Sequence, residues 1–412
     1  ARRATRSPEA TAPPRVALRP TPCDIQTAVE HASVAYGDKV VLLPGTYAVG
    51  TDPLQPNDAI SIGGRRKGSR PAIVGSDTGI NRVVDPNVDG VRLHDVKVRG
   101  GAISTVAFVG VSERVEAVGP FIGCGRAEVI RDSVCVSTGS FGHAVSWAAG
   151  CGGPITLPRM RLRNVTAIAL GASGTGINTE VNGGCDILIE GRNVIATGPL
   201  RDLYAAADAM PNSRAEINLT YSAFDTVAKS GANAFATPAG TNENITAAPV
   251  LANPAGGDYG QLPGSPTIDA GTRNDPHDLL GKFDLGGERR IVAKKIDIGA
   301  DEFDFACKGR SATIVGTGGA IVGTNGPDVI VGTRGRDKIR ARGGNDLVCG
   351  GSGPDTIKGG GSSLHHFRQG FDVDHRFATL ARQRLHDHAM PALDLPFRLR
   401  VPEGAGGLVH HQ

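Results

Sequence analysis

The ten residues VRLHDVKVRG, numbered 91–100, decide the fold of this chain. Apolar and polar residues alternate on both sides of a central Asp95, which predicts two short strands that meet at a polar corner. The same pattern returns around four further polar residues, namely Glu113, Asp132, Asn164 and Asn193. The five central positions are 18, 19, 32 and 29 residues apart.

This spacing favours a parallel β-solenoid, in which each repeat is one coil of the chain. A step of 18 or 19 residues leaves no room for a helix between parallel strands, and the longer steps accommodate loop insertions. Because one coil cannot bury its inner face alone, stacking of the coils supplies the core. A β-sandwich with irregular strands is the alternative that the pattern leaves open.

The composition agrees with small stacked coils. Glycine accounts for 58 of the 412 residues, and the aromatic residues are few, at 12 Phe, 5 Tyr and 1 Trp. Since glycine costs about 1 kcal/mol at each helix position, a largely helical enzyme core is disfavoured. The formal net charge is only +3, which does not favour nucleic acid as a partner.

The N-terminus and the hydropathy bear on location. No run of 18 apolar residues occurs, so we expect no transmembrane segment. The chain begins Ala1-Arg2-Arg3 without an apolar signal, as expected where a signal has been removed or the chain trimmed. Residues 1–22, rich in Arg, Pro, Ala and Thr, are expected to form a flexible leader.

Residues 25–47 resemble the start of a known fold family. A helical pattern opens at Ile25-Gln26 and breaks at Gly37, after which an apolar run at 40–43 predicts a buried strand and residues 44–47 a turn. This order is similar to the N-terminal cap and first coil of pectate-lyase-like proteins. The resemblance implies a right-handed parallel β-helix, which we place at residues 23–260.

A second resemblance lies further along the chain. Four spaced pieces fall in order, at residues 265–271, 278–281, 287–290 and 297–302. They are similar to the choice-of-anchor Q domain, which closes many bacterial β-helix surface proteins. The resemblance implies a closing segment over residues 261–304, whose Asp and Arg side chains form a buried ion-pair cap.

The sharpest motif is a nine-residue repeat at residues 323–358, which reads GTNGPDVIV, GTRGRDKIR, ARGGNDLVC and GGSGPDTIK. Each repeat has an aspartate, a glycine two residues before it and an apolar residue two after it. The aspartates are Asp328, Asp337, Asp346 and Asp355, and the glycines are Gly326, Gly335, Gly344 and Gly353. Glycines permit tight turns with inward carbonyls, and aspartates add the anionic oxygen that Ca²⁺ prefers.

This pattern resembles the calcium-binding nonapeptide of RTX, or hemolysin-type, β-rolls. The resemblance implies a roll over residues 305–360, in which successive turns lie on alternate sides and Ca²⁺ bridges turns two apart. Asp328 would then pair with Asp346, and Asp337 with Asp355, which gives about two calcium sites. The alternative is a glycine-rich linker that binds nothing.

Individual departures from the repeat lead to further expectations. Thr324, Thr333 and Arg342 replace the second glycine, and Ala341 replaces the first. The charges of Arg342 and Arg336 are expected to weaken the sites. The preceding turn, residues 314–322, has Gly319 at the aspartate position and is expected to be structural only.

The seven cysteines form no C-x-x-C pair, which argues against a zinc ribbon or a thioredoxin-type site. In an oxidising compartment they allow three disulfides and one free thiol. Cys307 and Cys349 flank the repeats, and a disulfide between them would stabilise the roll by roughly 3–4 kcal/mol. This cysteine usage favours a secreted, extracellular or cell-surface location.

A search for catalytic residues finds no complete motif. Asn178-Thr179-Glu180 and Gly142-His143 are similar to polygalacturonase motifs, but their order is reversed and no Asp-Asp pair follows. Glycoside hydrolysis needs two carboxylates roughly 5–10 Å apart. The candidates are Asp132, Glu180, Asp186 and Asp208, each of which is equally well interpreted as a polar residue of a coil turn.

Residues 361–412 lose the repeat pattern and are expected to form an irregular tail. The tail carries seven of the eleven histidines, so a metal-binding tail is open beside a loose one. The whole sequence favours a secreted or cell-surface bacterial protein that binds calcium and contacts carbohydrate through its β-helix. The alternatives are an extracellular polysaccharide lyase or glycoside hydrolase, and an adhesin without catalysis.

Overall fold

The computed structural model describes residues 15–18, 24–31, 34–49, 52–66, 69–76, 82–86, 88–101, 104–107, 110–150, 155–156, 159–262, 264–291, 296–303, 306–307, 310–316, 319–332, 336–350, 355–359 and 364–367. This part of the chain is nearly all β-structure. Its helical content is one helix, α1 at Ile25–Glu30, and a 3-10 turn at Pro254–Gly256. No helix among these residues is long and apolar enough to cross a membrane.

The first twelve strands are β1 Arg15–Leu18, β2 Lys39–Leu42, β3 Thr46–Ala48, β4 Ser61–Gly63, β5 Ala72–Val74, β6 Arg82–Val84, β7 Arg92–His94, β8 Lys97–Arg99, β9 Ser104–Ala107, β10 Val111–Glu113, β11 Glu116–Gly119 and β12 Ile122–Gly125. The next twelve are β13 Val129–Ser137, β14 His143–Gly150, β15 Ile155–Thr156, β16 Met160–Ala169, β17 Thr175–Asn182, β18 Cys185–Thr197, β19 Arg201–Ala207, β20 Arg214–Thr220, β21 Val227–Ser230, β22 Ala234–Ala236, β23 Leu251–Asn253 and β24 Asp258–Gln261. The last nine are β25 Ala306–Cys307, β26 Arg310–Ser311, β27 Ile314–Val315, β28 Gly319–Val322, β29 Val329–Val331, β30 Asp337–Arg340, β31 Asp346–Cys349, β32 Thr356–Lys358 and β33 Leu364–Phe367.

Strands β2 to β22 form a parallel β-helix with three faces. Face 1 pairs β2, β4, β7, β10, β13, β16, β18, β20 and β22 in that order, and face 3 pairs β6, β9, β12, β14, β17, β19 and β21. Face 2 begins with β3, β5, β8 and β11 and continues through the second halves of β13, β16 and β18. All of these pairs are parallel, so the predicted solenoid is confirmed.

The interior of the β-helix holds stacked aliphatic residues. Leu93, Ile130 and Leu162 are buried at the same register position of face 1, and the buried Ser112 lies on the rung between Leu93 and Ile130. The helix α1 covers the first coil, because Asp24 caps its amides and Ile25 and Val29 are buried in the same core. The predicted helix and strand at this end are confirmed, but the turn is shorter than expected, since Thr46 already begins β3.

A ladder of left-handed residues makes the corner between face 1 and face 2. It comprises Asp95, Arg114, Asp132, Asn164 and Asn193, whose φ angles lie between 50° and 56°. Asp and Asn tolerate this conformation better than other side chains. The sequence prediction was wrong at Glu113, which ends strand β10, one residue before the corner. Arg114 takes the corner because Asp95 below accepts two hydrogen bonds from its guanidinium, at 2.8 and 2.9 Å.

The sheets extend beyond two of the predicted boundaries. Strand β1 pairs with β2 inside the segment expected to be a flexible leader. Strand β33 pairs with β31 inside the segment expected to be an irregular tail. In both places the open edge of a parallel sheet hydrogen-bonds one more strand. The histidines from His375 onward lie outside the described residues.

The closing segment packs across the corner ladder through buried polar contacts. Arg290 is fully buried and pairs with Asp132 at 2.9 Å, which confirms an expected buried ion pair, and its Nη1 atom lies 3.4 Å from the Glu302 carboxyl group. Burial raises the pKa of Asp297 to about 6 and, together with the charge of Asp297, that of Glu302 to about 9. This segment therefore concentrates carboxyl groups around one buried arginine.

Candidate calcium centre

The nonapeptide repeats form a flattened roll of two sheets. One sheet pairs β27, β29, β31 and β33, and the other pairs β28, β30 and β32. Consecutive repeats therefore alternate between the sheets. Val329 lies beside Leu347 and Lys338 beside Thr356, each pair 18 residues apart. The expected alternation of turns is confirmed.

A thin apolar core separates the two sheets. Ile330, Ile339 and Val348, the apolar residues of three repeats, are fully buried, and Ile357 of the fourth packs against them. Ile321 adds a fifth rung from the preceding turn. That turn pairs Gly319 with Asp337 and so belongs to the roll without supplying an aspartate.

The four aspartates meet in the two expected pairs. The Asp346 carboxylate accepts a hydrogen bond from the Asp328 amide at 3.0 Å, and the Asp355 carboxylate accepts one from the Asp337 amide at 3.0 Å. The exposed fractions of Asp328, Asp337 and Asp346 are 4%, 0% and 2%. Each pair thus brings two carboxylates to neighbouring rungs on one side of the roll.

Glycines make room for these carboxylates. A Cβ added at Gly323, Gly332 or Gly350 would lie 3.0, 2.9 or 2.6 Å from the Oδ2 atom of the aspartate five residues later. In the third repeat Ala341 stands at this position, five residues before Asp346. Gly344 has a φ of 122°, which only glycine adopts readily. A Cβ at Gly344 would also clash with the carbonyl oxygen of Gly326 on the neighbouring rung. Gly335 and Gly353 lie outside the described residues.

The sequence analysis identified Thr324 as a replaced glycine but did not predict its contact with Asp328. Thr324 donates its amide to Asp328 at 2.6 Å and places its hydroxyl 3.0 and 3.1 Å from the two carboxylate oxygens. The Thr313 hydroxyl lies 3.4 Å from the same carboxylate. A threonine in place of the second glycine was the available signal. We expect these hydroxyls to compete with a cation for the Asp328 oxygens.

The donor set of the roll fits a hard cation. Neither Asp328 nor Asp346 has an ion-pair partner among the described residues, and carboxylate and carbonyl oxygens are the ligands that Ca²⁺ prefers. The described residues contain no cluster of three or more His, Cys, Asp or Glu side chains arranged for a metal. Backbone carbonyls would therefore have to complete each site. Arg336 and Arg342 are both exposed, and their effect on an ion stays a prediction.

Disulfides brace the described structure. Cys307 is bonded to Cys349, as predicted from their flanking positions, and Cys124 is bonded to Cys135 within the β-helix. Cys185 is disulfide-bonded as well. Cys307 is buried against Val329 and Leu347, so the bond between Cys307 and Cys349 anchors the hairpin of β25 and β26 to the roll.

The carboxylates considered for catalysis serve structural roles or lie on different faces. Asp132 is buried at the corner ladder beside Arg290, Glu180 lies on face 3, and Asp186 is exposed at the start of β18 on face 1. Asp208 follows β19 and accepts a hydrogen bond from the Gly183 amide at 2.7 Å.

The polar residues that resembled polygalacturonase motifs are largely internal. Asn178 and Thr179 are buried and hydrogen-bond Ser146 and the carbonyl oxygen of Trp147 on the preceding rung. Burial, with the charge of Arg201 nearby, lowers the pKa of His143 to about 4. These contacts support packing inside the coils.

Comparison with known proteins bears directly on the roll. Residues 322–357 match a family model described as RTX calcium-binding nonapeptide repeat, in four copies. No curated protein matches the chain. Among solved structures, the chain is similar to the crystal structure of pectate lyase Pel9A, with a TM-score of 0.32 and 12% identity over 66% of this chain and 90% of that one. The array is thus an RTX calcium-binding repeat.

Proposed function

We propose that this chain is a secreted or cell-surface bacterial protein whose roll is ordered by Ca²⁺ while its β-helix contacts carbohydrate. The observation that carries the calcium part is the pairing of Asp328 with Asp346 and of Asp337 with Asp355 on neighbouring rungs. Each pair places two aspartates on neighbouring rungs, and Asp328, Asp337 and Asp346 are nearly fully buried. Such charges repel one another, so a divalent cation between them favours the rolled state.

The disulfides support the proposed location. Bonds such as Cys307–Cys349 and Cys124–Cys135 persist in oxidising surroundings and are rare in the bacterial cytosol. Extracellular fluid is also rich in calcium, and a site built from two carboxylates and carbonyls need bind only weakly to be filled there. Oxidising surroundings and abundant calcium would therefore order the roll after export.

Calcium titration of the full chain tests the first part of the proposal. We expect about two ions per chain by calorimetry, together with a gain of β-structure by circular dichroism. Asp346→Asn and Asp355→Asn should each remove one ion, and the double variant both. Asp186→Asn, which changes an exposed carboxylate on the β-helix, is the matched control and should change neither signal. Absence of heat together with an unchanged spectrum would refute calcium ordering.

The carbohydrate part of the proposal concerns the edge between face 2 and face 3. Phe121 and Phe141 have exposed fractions of 39% and 70% there, and the Phe121 ring contacts His143 edge-on at 5.5 Å between centroids. Exposed apolar side chains that form a contiguous patch mark interaction sites. Pectin, alginate and other uronates are the probes, read for binding and for release of reducing or unsaturated ends.

Those two readouts separate the alternatives. Binding without turnover supports an adhesin, and turnover supports a lyase or hydrolase. Phe141→Ala should weaken binding, whereas Tyr36→Ala, which truncates an exposed ring beside the first coil of the β-helix, should not. No binding to any glycan of the panel would remove the carbohydrate part and leave the calcium part standing.

A further inference from the structure

Three arginines stack on the outer side of face 1. Arg131 lies beside Arg163 on the next rung, and Arg163 lies beside Arg192 on the rung after that. Adjacent strands are about 4.8 Å apart, and like charges directly opposite one another destabilise a sheet. Nearby negative charge would be needed to offset the repulsion within this row.

Only the first arginine of the row has a carboxylate partner. Arg131 pairs with Glu113 at 2.8 Å. Neither Arg163 nor Arg192 has an ion pair among the described residues. Arg163 is 1% exposed and donates one hydrogen bond, from Nη2 to the carbonyl oxygen of Thr272 at 2.7 Å. Its Nε and Nη1 atoms are buried without any hydrogen-bond partner.

Arg163 and Arg192 line a cavity of about 80 Å³ between face 1 and the loop that includes Asp275 and His277. Both carboxylates of its wall are already engaged. Glu190 pairs with Arg161 at 3.0 Å and with His277 at 3.3 Å. Asp275 accepts hydrogen bonds from the amides of its own loop. Asp275 keeps its negative charge beside Arg163, so the three arginines and two carboxylates of the wall leave the cavity with one excess positive charge.

A buried guanidinium with two idle donor atoms is costly unless another group binds it. Burial lowers the pKa of Arg163 to about 10, so the side chain is still charged at neutral pH. The cavity volume far exceeds the roughly 15 Å³ that one water needs, which leaves space for a small polyatomic ion. Planar guanidinium groups match carboxylate, sulfate and phosphate oxygens in pairs.

We propose that this cavity binds a small oxyanion, held between Arg163 and Arg192. The ligand is an inorganic sulfate or phosphate, or the carboxylate of a small organic acid, since the same forked donors recognise all three. The site is separate from the calcium roll. The loop from Thr272 to Leu279 covers face 1 at the same rungs, with Thr272 bound to Arg163.

Thermal unfolding of the calcium-loaded full chain tests this site, with sulfate, phosphate and galacturonate each compared with chloride at matched ionic strength. We expect at least one oxyanion to raise the unfolding temperature beyond chloride, and calorimetry to detect one ion per β-helix. Galacturonate as the strongest ligand would identify an organic carboxylate, and sulfate or phosphate an inorganic ion.

Variants connect the effect to the two arginines. Arg192→Ala should weaken the oxyanion about tenfold or more. Arg214→Ala, on the next strand but paired with Glu216 outside the cavity, should leave the affinity unchanged. Arg163→Met should abolish the response without lowering stability in chloride, because it removes an unpaired buried charge. Equal stabilisation by chloride, or an undiminished response in Arg192→Ala, would overturn the proposal.

Discussion

Arg290 of the closing segment and Asp132 of the β-helix corner form an ion pair at 2.9 Å in which both side chains are fully buried. The backbone carbonyls of Gly299 and Ala300 accept further hydrogen bonds from the guanidinium. The pair connects two parts of the chain that are far apart in sequence. The closing segment is thus fixed to the corner ladder by charge as well as by shape.

Breaking that pair should destabilise the protein strongly. Asp132→Asn leaves the buried Arg290 charge without its nearest partner, and we expect a loss of about 3–5 kcal/mol in the free energy of unfolding. Urea denaturation measures it. Glu216→Gln, which breaks the exposed pair with Arg214, should cost less than about 1 kcal/mol. Similar losses in the two variants would contradict a special role for the buried pair.

The stability of the β-helix should fall as the pH rises from about 5 to 9. Asp297 and Glu302 have pKa values raised to about 6 and about 9 by burial, so the folded state holds protons that the unfolded state has released. Because the folded state binds more protons in this interval, the free energy of unfolding decreases with pH.

Denaturation at several pH values in calcium-free buffer measures this slope. Glu302→Gln should flatten it, since the amide cannot titrate. Glu216→Gln serves as the control and should leave it unchanged. A stability that rises over the same interval would show that these carboxyl groups are ionised in the folded protein.

Loss of the disulfide between Cys307 and Cys349 should loosen the roll. On the chain-entropy model, opening a loop with a sequence separation of 42 costs about 4 kcal/mol. The double variant Cys307→Ser and Cys349→Ser should therefore need more calcium to reach the same degree of order, as followed by circular dichroism. Replacing Cys124 and Cys135 by serine instead should leave the calcium dependence as it is.

The hydroxyl of Thr324 should set the calcium affinity of the first aspartate pair. Thr324→Val keeps the shape of the side chain but removes the group that lies 3.0 Å from Asp328, so calcium binding should tighten about two- to tenfold. Thr324→Ser keeps the hydroxyl and should behave like the parent chain. Calorimetric titration compares the three proteins, and an identical affinity for all would exclude the competition.

Local pattern predicted the features that repeat. Asp132, Asn164 and Asn193 could be assigned to one corner because a solenoid repeats the same turn on every coil. The aspartate pairs were implied by the resemblance to RTX rolls, which the strict period of nine residues had indicated. Glu113 was mistaken for the corner because two polar residues stand together there, and only the contact with Asp95 on the neighbouring coil selects Arg114.

The sites that the sequence did not reveal depend on contacts between distant segments. Arg163 is buried by Thr272 and the loop that follows it. No residue near Arg163 in the sequence predicts this burial. The sequence also did not decide between a catalytic and a structural role for Asp132, since its partner Arg290 lies in another part of the fold. The chemistry at such places depends on tertiary packing, which cannot be predicted from the alternation of polar and apolar residues.

The alternation of repeats between the two sheets of the roll imposes a rule of parity on its length. Deleting or inserting a single nonapeptide would transfer every later strand to the opposite sheet, whereas a change of two would return each strand to its own. Cys349 lies on the sheet of Val329 and Leu347, against which Cys307 is buried. An odd change before Cys349 would carry that cysteine to the far side of the roll and separate the bonded pair. The array can therefore grow or shrink without rearrangement only in even steps.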